Sequence, residues 1–460
     1  MPTSLLSNPV STNGDKDLPT IFPRRSERDS EWFTKARFGL FIHWGLYSMP
    51  ARHEWMQHYE KKTPEQYEKY FRNFEPDLYD PAFWATTAQR AGMKYFVITT
   101  KHHEGFCLWD SAHTEFKATK APHCRRDLIT PMVNAFRDKG LRVGLYHSLI
   151  DWRHPDFIVD VLHPQREGNL AALNRDRQQA RYAEYLRRQV RELLSDFGKI
   201  DLLWFDFSYP LKAPGATDRL DFSLGKGREA WESEKLLEMI REIQPQVLIN
   251  DRLNLDRFLS GGDFKTPEQA QPRRWVEVED SPVVWEACQT FYASWGYHNN
   301  EPPWRDSTNI IQTLIDSVSK GGNFMLNVGP DARGRFDPRA VNILGEIGQW
   351  MELHDPSITG CTQAPACFPT PADCRLTYNP ERRRLYIHLF AYPYKMLHLD
   401  GSAFRERVEY AQFLHDRSEV TLGLDEWHSS QIELNADELV LTLPLQRPSP
   451  AVPVIELILK

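Results

Sequence analysis

The sequence predicts an α/β fold, a (β/α)8-like barrel followed by a small antiparallel β-sandwich, on three observations. Short apolar or β-branched runs alternate with helical segments from Trp32 to Leu353, as in consecutive parallel βαβ units. Polar residues close most of those runs, as they do at the catalytic rim of a parallel barrel. After about Pro356 the long helical patterns stop and short β-rich runs take over. An open nucleotide-binding sheet would show a Gly-rich dinucleotide loop, and no G-x-G-x-x-G is present.

Residues 1–25 read as a flexible leader. Met1 to Lys16 is polar and has no apolar signal-peptide core. The barrel is expected over 26–356. Its first strand is Phe38 to Gly45, an apolar run ended by Gly. Pro81 to Gly92 reads as a helix with Pro in its first turn and Gly closing it. Tyr95 to Thr100 follows as a β-branched and aromatic strand, then a helix from Leu128 to Gly140 and a strand from Arg142 to Ser148. A charged amphipathic helix, Asn174 to Ser195, leads into Ile200 to Asp206. That run is apolar apart from Asp201 until it ends on Asp206, so it reads as a strand buried on both faces. A helix from Ala230 to Ile243 precedes the strand Val247 to Asp251; Val283 to Glu286, a helix Asn309 to Lys320, the strand Asn323 to Gly329 and a helix Pro338 to Leu353 complete the set. Over 357–460, the runs 384–390, 439–443 and 454–459 predict the sandwich.

A chain of 460 residues exceeds one ordinary core, which fits two domains. Hydrophobic residues at 41% and charged residues at 26% describe a globular protein, expected to be cytoplasmic, with no apolar run long enough to span a membrane. A net charge of −7 with both signs interspersed offers no basic stripe for nucleic acid. Aromatics reach 12%, with 14 Trp, which suits a pocket that stacks on sugar faces and makes a homo-oligomer plausible. Six Cys without a CxxC pair fit reduced thiols rather than a zinc site.

At the strand ends stand His43 and Trp44; His102, His103 and Glu104; Tyr146 and His147; Asp206; Asn250, Asp251 and Arg252; Glu286; and Asn327. A barrel brings such residues to one rim although they are far apart in sequence. Two chemistries use such a set. His43, His102, His103 and Asp206 are candidate ligands of a divalent metal, but adjacent residues of one strand, such as His102 and His103, point to opposite faces. Glycoside hydrolysis instead needs two carboxyl groups, one nucleophilic and one protonated. Asp206 supplies the first; Asp251, Glu268 and Glu286 are candidates for the second.

The blocks F-G-L-F-I-H-W-G (38–45), H-E-W (53–55), K-H-H-E-G-F (101–106), L-W-F-D (203–206), N-D-R (250–252), G-D-F-K-T-P-E (262–268), W-E-A-C (285–288), S-W-G-Y (294–297) and G-G-N-F-M-L-N-V-G-P (321–330) resemble, in order, those of the α-L-fucosidases of glycoside hydrolase family 29. The resemblance runs from about residue 28 to 355, and the C-terminal part shares only position and texture. It implies an exo-acting, retaining hydrolase of terminal α-L-fucosyl linkages in oligosaccharides or glycoconjugates, with no metal or organic cofactor. Asp206 then falls at the nucleophile. His43, Glu54, Trp55, His102, His103, Tyr146, His147, Trp204 and Arg252 fall where the family holds the fucose hydroxyls, and Glu286 is expected to hold a neighbouring hydroxyl or ring. The acid/base is Glu268 in one part of the family and Asp251 in another. Burial in a loop would raise Glu268, as a proton donor needs, whereas Arg252 beside Asp251 would lower that one, which favours Glu268. Phe207 departs from the pattern, because many relatives carry a small residue, often Gly, after the nucleophile. A fucose-binding protein without catalysis and a metal-dependent barrel hydrolase are the rival readings. Linkage preference is expected to depend on the loops 155–168 and 210–225.

Overall fold

Seven parallel strands carry the first part of the chain: β1 (Phe38–Ile42), β2 (Tyr95–Lys101), β3 (Arg142–Ser148), β4 (Leu202–Asp206), β5 (Leu248–Ile249), β6 (Glu286–Thr290) and β7 (Asn323–Val328). They lie in the order β5-β4-β3-β2-β1-β7-β6. This computed structural model describes residues 18, 20, 23, 28–209, 225–255, 262–300, 303–424, 426–431 and 433–460. The expected leader and the loop 210–225 therefore lie almost wholly outside the described residues.

The gap between β5 and β6 is filled by an irregular eighth stave. Its residues form isolated parallel bridges on both sides, Asn250 with Phe264, then Lys265 with Trp285 and Glu268 with Cys288. Gly262 lets this segment press against β5: a Cβ there would stand 2.8 Å from the Cα of Asp251. The barrel is thus closed by the very segment that carries Glu268.

Alternation along each strand decides what faces inward. Phe41, Tyr95, Val97, Tyr146, Leu202, Trp204, Leu248, Cys288 and Met325 form the barrel interior. Their chain neighbours Leu40, Phe96, Leu145, Leu203 and Phe205 instead join the larger core under the helices. Asp206 follows Trp204 by two and so inherits the inward side at the end of β4. In β2 the parity breaks: the register to β3 passes from Thr99–Tyr146 to Lys101–His147, a bulge that skips Thr100. Lys101 is thereby turned outward, to Asp151 and Gln189.

Helices pack outside the strands with the expected spacing. Gln179–Ser195 buries Tyr182, Leu186, Val190 and Leu193, an i, i+4, i+8, i+11 stripe. Pro81–Arg90 starts where Asp80 accepts a hydrogen bond from the Phe83 N–H at 2.9 Å. The helix expected over Ala230 to Ile243 is split into Arg228–Trp231 and Ser233–Ile243, because Glu232 takes a left-handed φ of 48°. The strand expected to end on Glu286 instead begins there, so that carboxylate enters at the opposite end of the barrel from Asp206.

After the helix Pro338–His354 the chain builds two antiparallel sheets. One orders Thr362–Gln363, Cys374–Asn379, Arg384–Leu389, Val454–Leu459 and Val408–Phe413; the other orders Met396–Asp400, Glu438–Thr442 and Thr421–Leu422. Leu376, Leu385, Ile387, Leu399, Leu441 and Leu457 share one core between them, into which Leu18 also packs. No helix among the described residues is long and apolar enough to cross a membrane.

Candidate active site

Asp206 is held from two sides. The Tyr146 hydroxyl donates to Oδ2 at 2.8 Å and the Arg252 guanidinium to Oδ1 at 2.7 Å. His103 Nε2 stands 3.9 Å from Oδ2. Burial pushes the Tyr146 phenol well above its ordinary range and the charge of Asp206 adds to this, so it stays a donor.

Arg252 also grips Glu268: its second terminal nitrogen donates to Oε2 at 2.6 Å. Thr266 Oγ1 receives the Arg252 Nε hydrogen at 3.1 Å, and the guanidinium lies over Trp204, 4.5 Å from the ring centre. Burial works against the charged guanidinium, but Asp206 and Glu268 outweigh it and hold the group fully protonated. Glu268 is 38% exposed at its side chain against 13% for Asp206, so it is the more open of the two carboxyls bound by Arg252. Burial lifts that carboxyl above the usual range; Arg252 pulls the other way, and the charge of Asp206 adds to the lift. Asp251 has different partners. Its oxygens are taken by Thr266 Oγ1 at 2.9 Å and Lys265 Nζ at 3.1 Å, on the stave beside β5.

His43 and His103 stand beside Asp206 as neutral rings. His43 bonds Asn327 Oδ1 through Nδ1 at 2.7 Å, and Asn327 is itself fixed by the Trp295 carbonyl at 2.7 Å. His103 uses Nδ1 on Ser148 Oγ at 2.6 Å. Burial holds both imidazoles well below their ordinary pKa, and the neighbouring His102 lowers them further. His102 and His103 do not diverge as on a regular strand. They lie beyond the end of β2, after the bulge, with ring centres 4.0 Å apart. His102 Nδ1 and His103 Nε2 are buried with no hydrogen bond made; the first faces Glu104 Oε2 at 3.5 Å and the second faces Asp206, while the Trp204 indole is turned toward Glu286. Glu54 accepts from the Trp295 and Gly296 N–H groups at 3.1 and 3.0 Å, and Trp55 packs on His103 at 4.8 Å.

Two expected site residues lie elsewhere. His147 follows Tyr146 and so points out of the barrel. Its Nδ1 meets Thr100 Oγ1 at 3.2 Å, and burial followed by the charge of Lys101 keeps it neutral. Glu286 begins β6 and is fully buried in the barrel, accepting from the Tyr95 hydroxyl. Burial pushes its carboxyl up to about 7. The folded state therefore holds this proton more tightly than the unfolded chain. Its contribution to stability is complete below about pH 4.5 and is lost as pH rises through about 7. A Glu286→Gln variant lacks that loss. In urea unfolding its stability relative to the parent is expected to gain up to about 3 kcal/mol between pH 4.5 and pH 8; a constant difference would show that Glu286 is not held neutral.

Trp295 is a wall that strand-end reasoning missed. It reaches the cavity from a loop, 5.0 Å from His43 and 5.8 Å from Phe41. Its only signal was the aromatic excess and the S-W-G-Y block. Among the described residues no group of three or more His, Cys, Asp or Glu side chains is arranged to hold a metal ion.

The family model described as Alpha-L-fucosidase matches residues 11–355. The tissue alpha-L-fucosidase of Bos taurus is 30% identical over 374 residues, covering 74% of this chain and 72% of the relative. Alpha-L-fucosidase isoenzyme 1 from Paenibacillus thiaminolyticus is a solved structure with a TM-score of 0.84 and 41% identity, covering 94% of this chain and 98% of that one. An alpha-L-fucosidase from Bacteroides thetaiotaomicron, trapped as a covalent intermediate with 2-fluoro-fucosyl fluoride in a Glu-to-Gln mutant, has a TM-score of 0.79 and 26% identity, covering 97% and 100%.

Proposed function

Because this chain belongs to the α-L-fucosidase family of glycoside hydrolases, we propose that it acts at glycan ends, releasing terminal α-L-fucosyl units by a retaining double displacement. The observation that carries this reading is the single guanidinium of Arg252 bridging Asp206 and Glu268. So short a bridge suits the carboxyl separation of roughly 5–5.5 Å in retaining enzymes rather than the wider spacing of inverting ones. The Bacteroides relative, caught as a covalent intermediate, supports the same course.

Asp206 attacks the anomeric carbon while Glu268 gives its proton to the departing glycosidic oxygen. That C–O bond breaks, an alcohol leaves and a fucosyl ester forms on Asp206. Esterification removes the negative charge of Asp206. The lift it gives Glu268 then disappears while the pull of Arg252 remains, so the same carboxyl becomes a better base. It takes a proton from water as the water oxygen displaces the ester, returning Asp206 as carboxylate and Glu268 as acid. His43, His102 and His103 supply directional contacts to the sugar hydroxyls, and Trp55 and Trp295 supply apolar faces. Asp251, tied to Lys265, is left to brace the stave. A pocket walled by Trp295 at His43 and Trp55 at His103 suits one terminal residue.

Stereochemistry tests this directly. NMR of a fresh reaction on an aryl α-L-fucoside is expected to show α-L-fucose first, with the β anomer appearing only by mutarotation. The β anomer as first product would contradict the double displacement.

Phe207 bears on selectivity. It holds a left-handed φ of 74°, where glycine is favoured, and packs on Trp55 at 4.9 Å and His103 at 5.4 Å. Exchange for Gly removes this bulk beside the nucleophile and is expected to change the ranking of α1,2, α1,3, α1,4 and α1,6 substrates. An unchanged ranking by kcat/KM would remove Phe207 as a determinant of linkage.

A further inference from the structure

The rings beside Asp206 do not stop at the sugar pocket. Phe207 and His103 both pack on Trp55, and the one-turn helix Met56–Tyr59 carries the series outward. The Tyr59 N–H donates to the Trp55 carbonyl at 3.0 Å, so Tyr59 stands one helical turn along the same face. Its ring lies 6.4 Å from Trp55, tilted by 34°, and is braced edge-on by His53 at 5.1 Å and His58 at 5.6 Å. The helix itself is moored to the segment 155–168: His58 Nδ1 contacts the Leu162 carbonyl at 2.8 Å, and Arg166 donates to the His58 carbonyl at 2.9 Å. Yet Tyr59 remains 60% exposed, whereas Phe207 and Trp55 are half-buried.

A rigidly braced, exposed tyrosine one step outside a sugar pocket offers a flat apolar face with a polar edge, at little entropic cost of ordering. The ring series begins at Phe207, directly after Asp206, and reaches Tyr59 through Trp55, so a unit joined to the fucosyl residue is the group that this ring can meet. We propose that Tyr59 is the stacking platform of the leaving-group subsite and receives the face of a pyranose ring to which the fucosyl unit is attached. This assignment rests on the fucosidase reading above, and Phe207 and Trp55 form its inner edge.

The test compares two donors, α-L-fucosyl fluoride, which has no leaving sugar, and the α-L-fucosyl disaccharide that the parent enzyme cleaves fastest. For Tyr59→Ala, kcat/KM on the disaccharide is expected to fall about tenfold more than on the fluoride, chiefly through KM. Tyr59→Phe, which keeps the ring, is expected to restore most of the difference. An equal fall on both donors, or no fall on the disaccharide, overturns the platform. A parent enzyme inert on both donors overturns the fucosidase reading instead, so the two failures are distinct. Matching thermal melts of the parent and Tyr59→Ala enzymes establish that the comparison is made on a folded protein.

Discussion

Replacing Asp206 by Gly is expected to lower kcat on an aryl α-L-fucoside by a factor on the order of 10^4 to 10^6, with KM little changed. The magnitude follows from what the side chain does in the fold. It is the carboxylate at the rim whose two oxygens are each held by a donor, Tyr146 and Arg252, while the anomeric carbon approaches. With the carboxylate removed, those donors remain and the cavity keeps its shape, so a small anion has room to act in its place. Azide should restore turnover and give β-L-fucosyl azide, since one displacement inverts the centre. Rescue through the α-azide would mean that another group forms the ester.

Removing the carboxyl of Glu268 is the second large effect, and it depends on the leaving group. On a fucosyl disaccharide, Glu268→Ala is expected to reduce kcat/KM by roughly 10^2 to 10^4, because the departing alkoxide needs a proton. On α-L-fucosyl fluoride, whose leaving group needs less help, the loss should be far smaller, and azide should accelerate breakdown of the ester with formation of α-L-fucosyl azide. The pH profile adds an independent sign. Burial lifts Glu268 and the charge of Asp206 adds to this against the pull of Arg252, so the acid form persists to higher pH than in a free carboxyl, and kcat/KM falls as pH rises through its pKa. That alkaline limb should be absent in Glu268→Gln. Asp251→Asn, by contrast, removes the charge facing Lys265 while keeping an oxygen for Thr266, and is expected to leave the limb in place. Azide rescue of an Asp251 variant and none of Glu268→Ala would exchange the two roles.

Much of this layout was legible in residue order alone. The runs Tyr95 to Thr100 and Leu202 to Phe205 are apolar, aromatic or β-branched on both faces, which leaves little else for them to be. Asp206, Arg252, His43 and Glu268 meet because four separate staves end at one rim, a consequence of topology that the polar strand ends betray. The pairing of two neighbouring histidines rests on a local break in periodicity. The bulge at Thr100 carries no sequence signature, yet it lets His102 and His103 lie side by side. Strict alternation after Tyr146 turns His147 outward, although it stands at a strand end like the residues that converge. Glu286 reads as a strand end because the apolar run Val283 to Trp285 stops there, whereas the strand continues through the mixed residues Ala287 to Thr290. The stave bearing Glu268 is too irregular to show any period, being held by single bridges rather than a ladder.

One measurement bears on the pairing of Asp206 with Glu268 more directly than any other. The enzyme, as parent and as Glu268→Gln, is incubated with 2-fluoro-fucosyl fluoride, digested at low pH and mapped by mass spectrometry. A single fluorofucosyl adduct on the peptide carrying Asp206, persisting longer in the variant, is the expected result. Turnover without any adduct, or an adduct on Asp251, Glu268 or Glu286 instead, would contradict it.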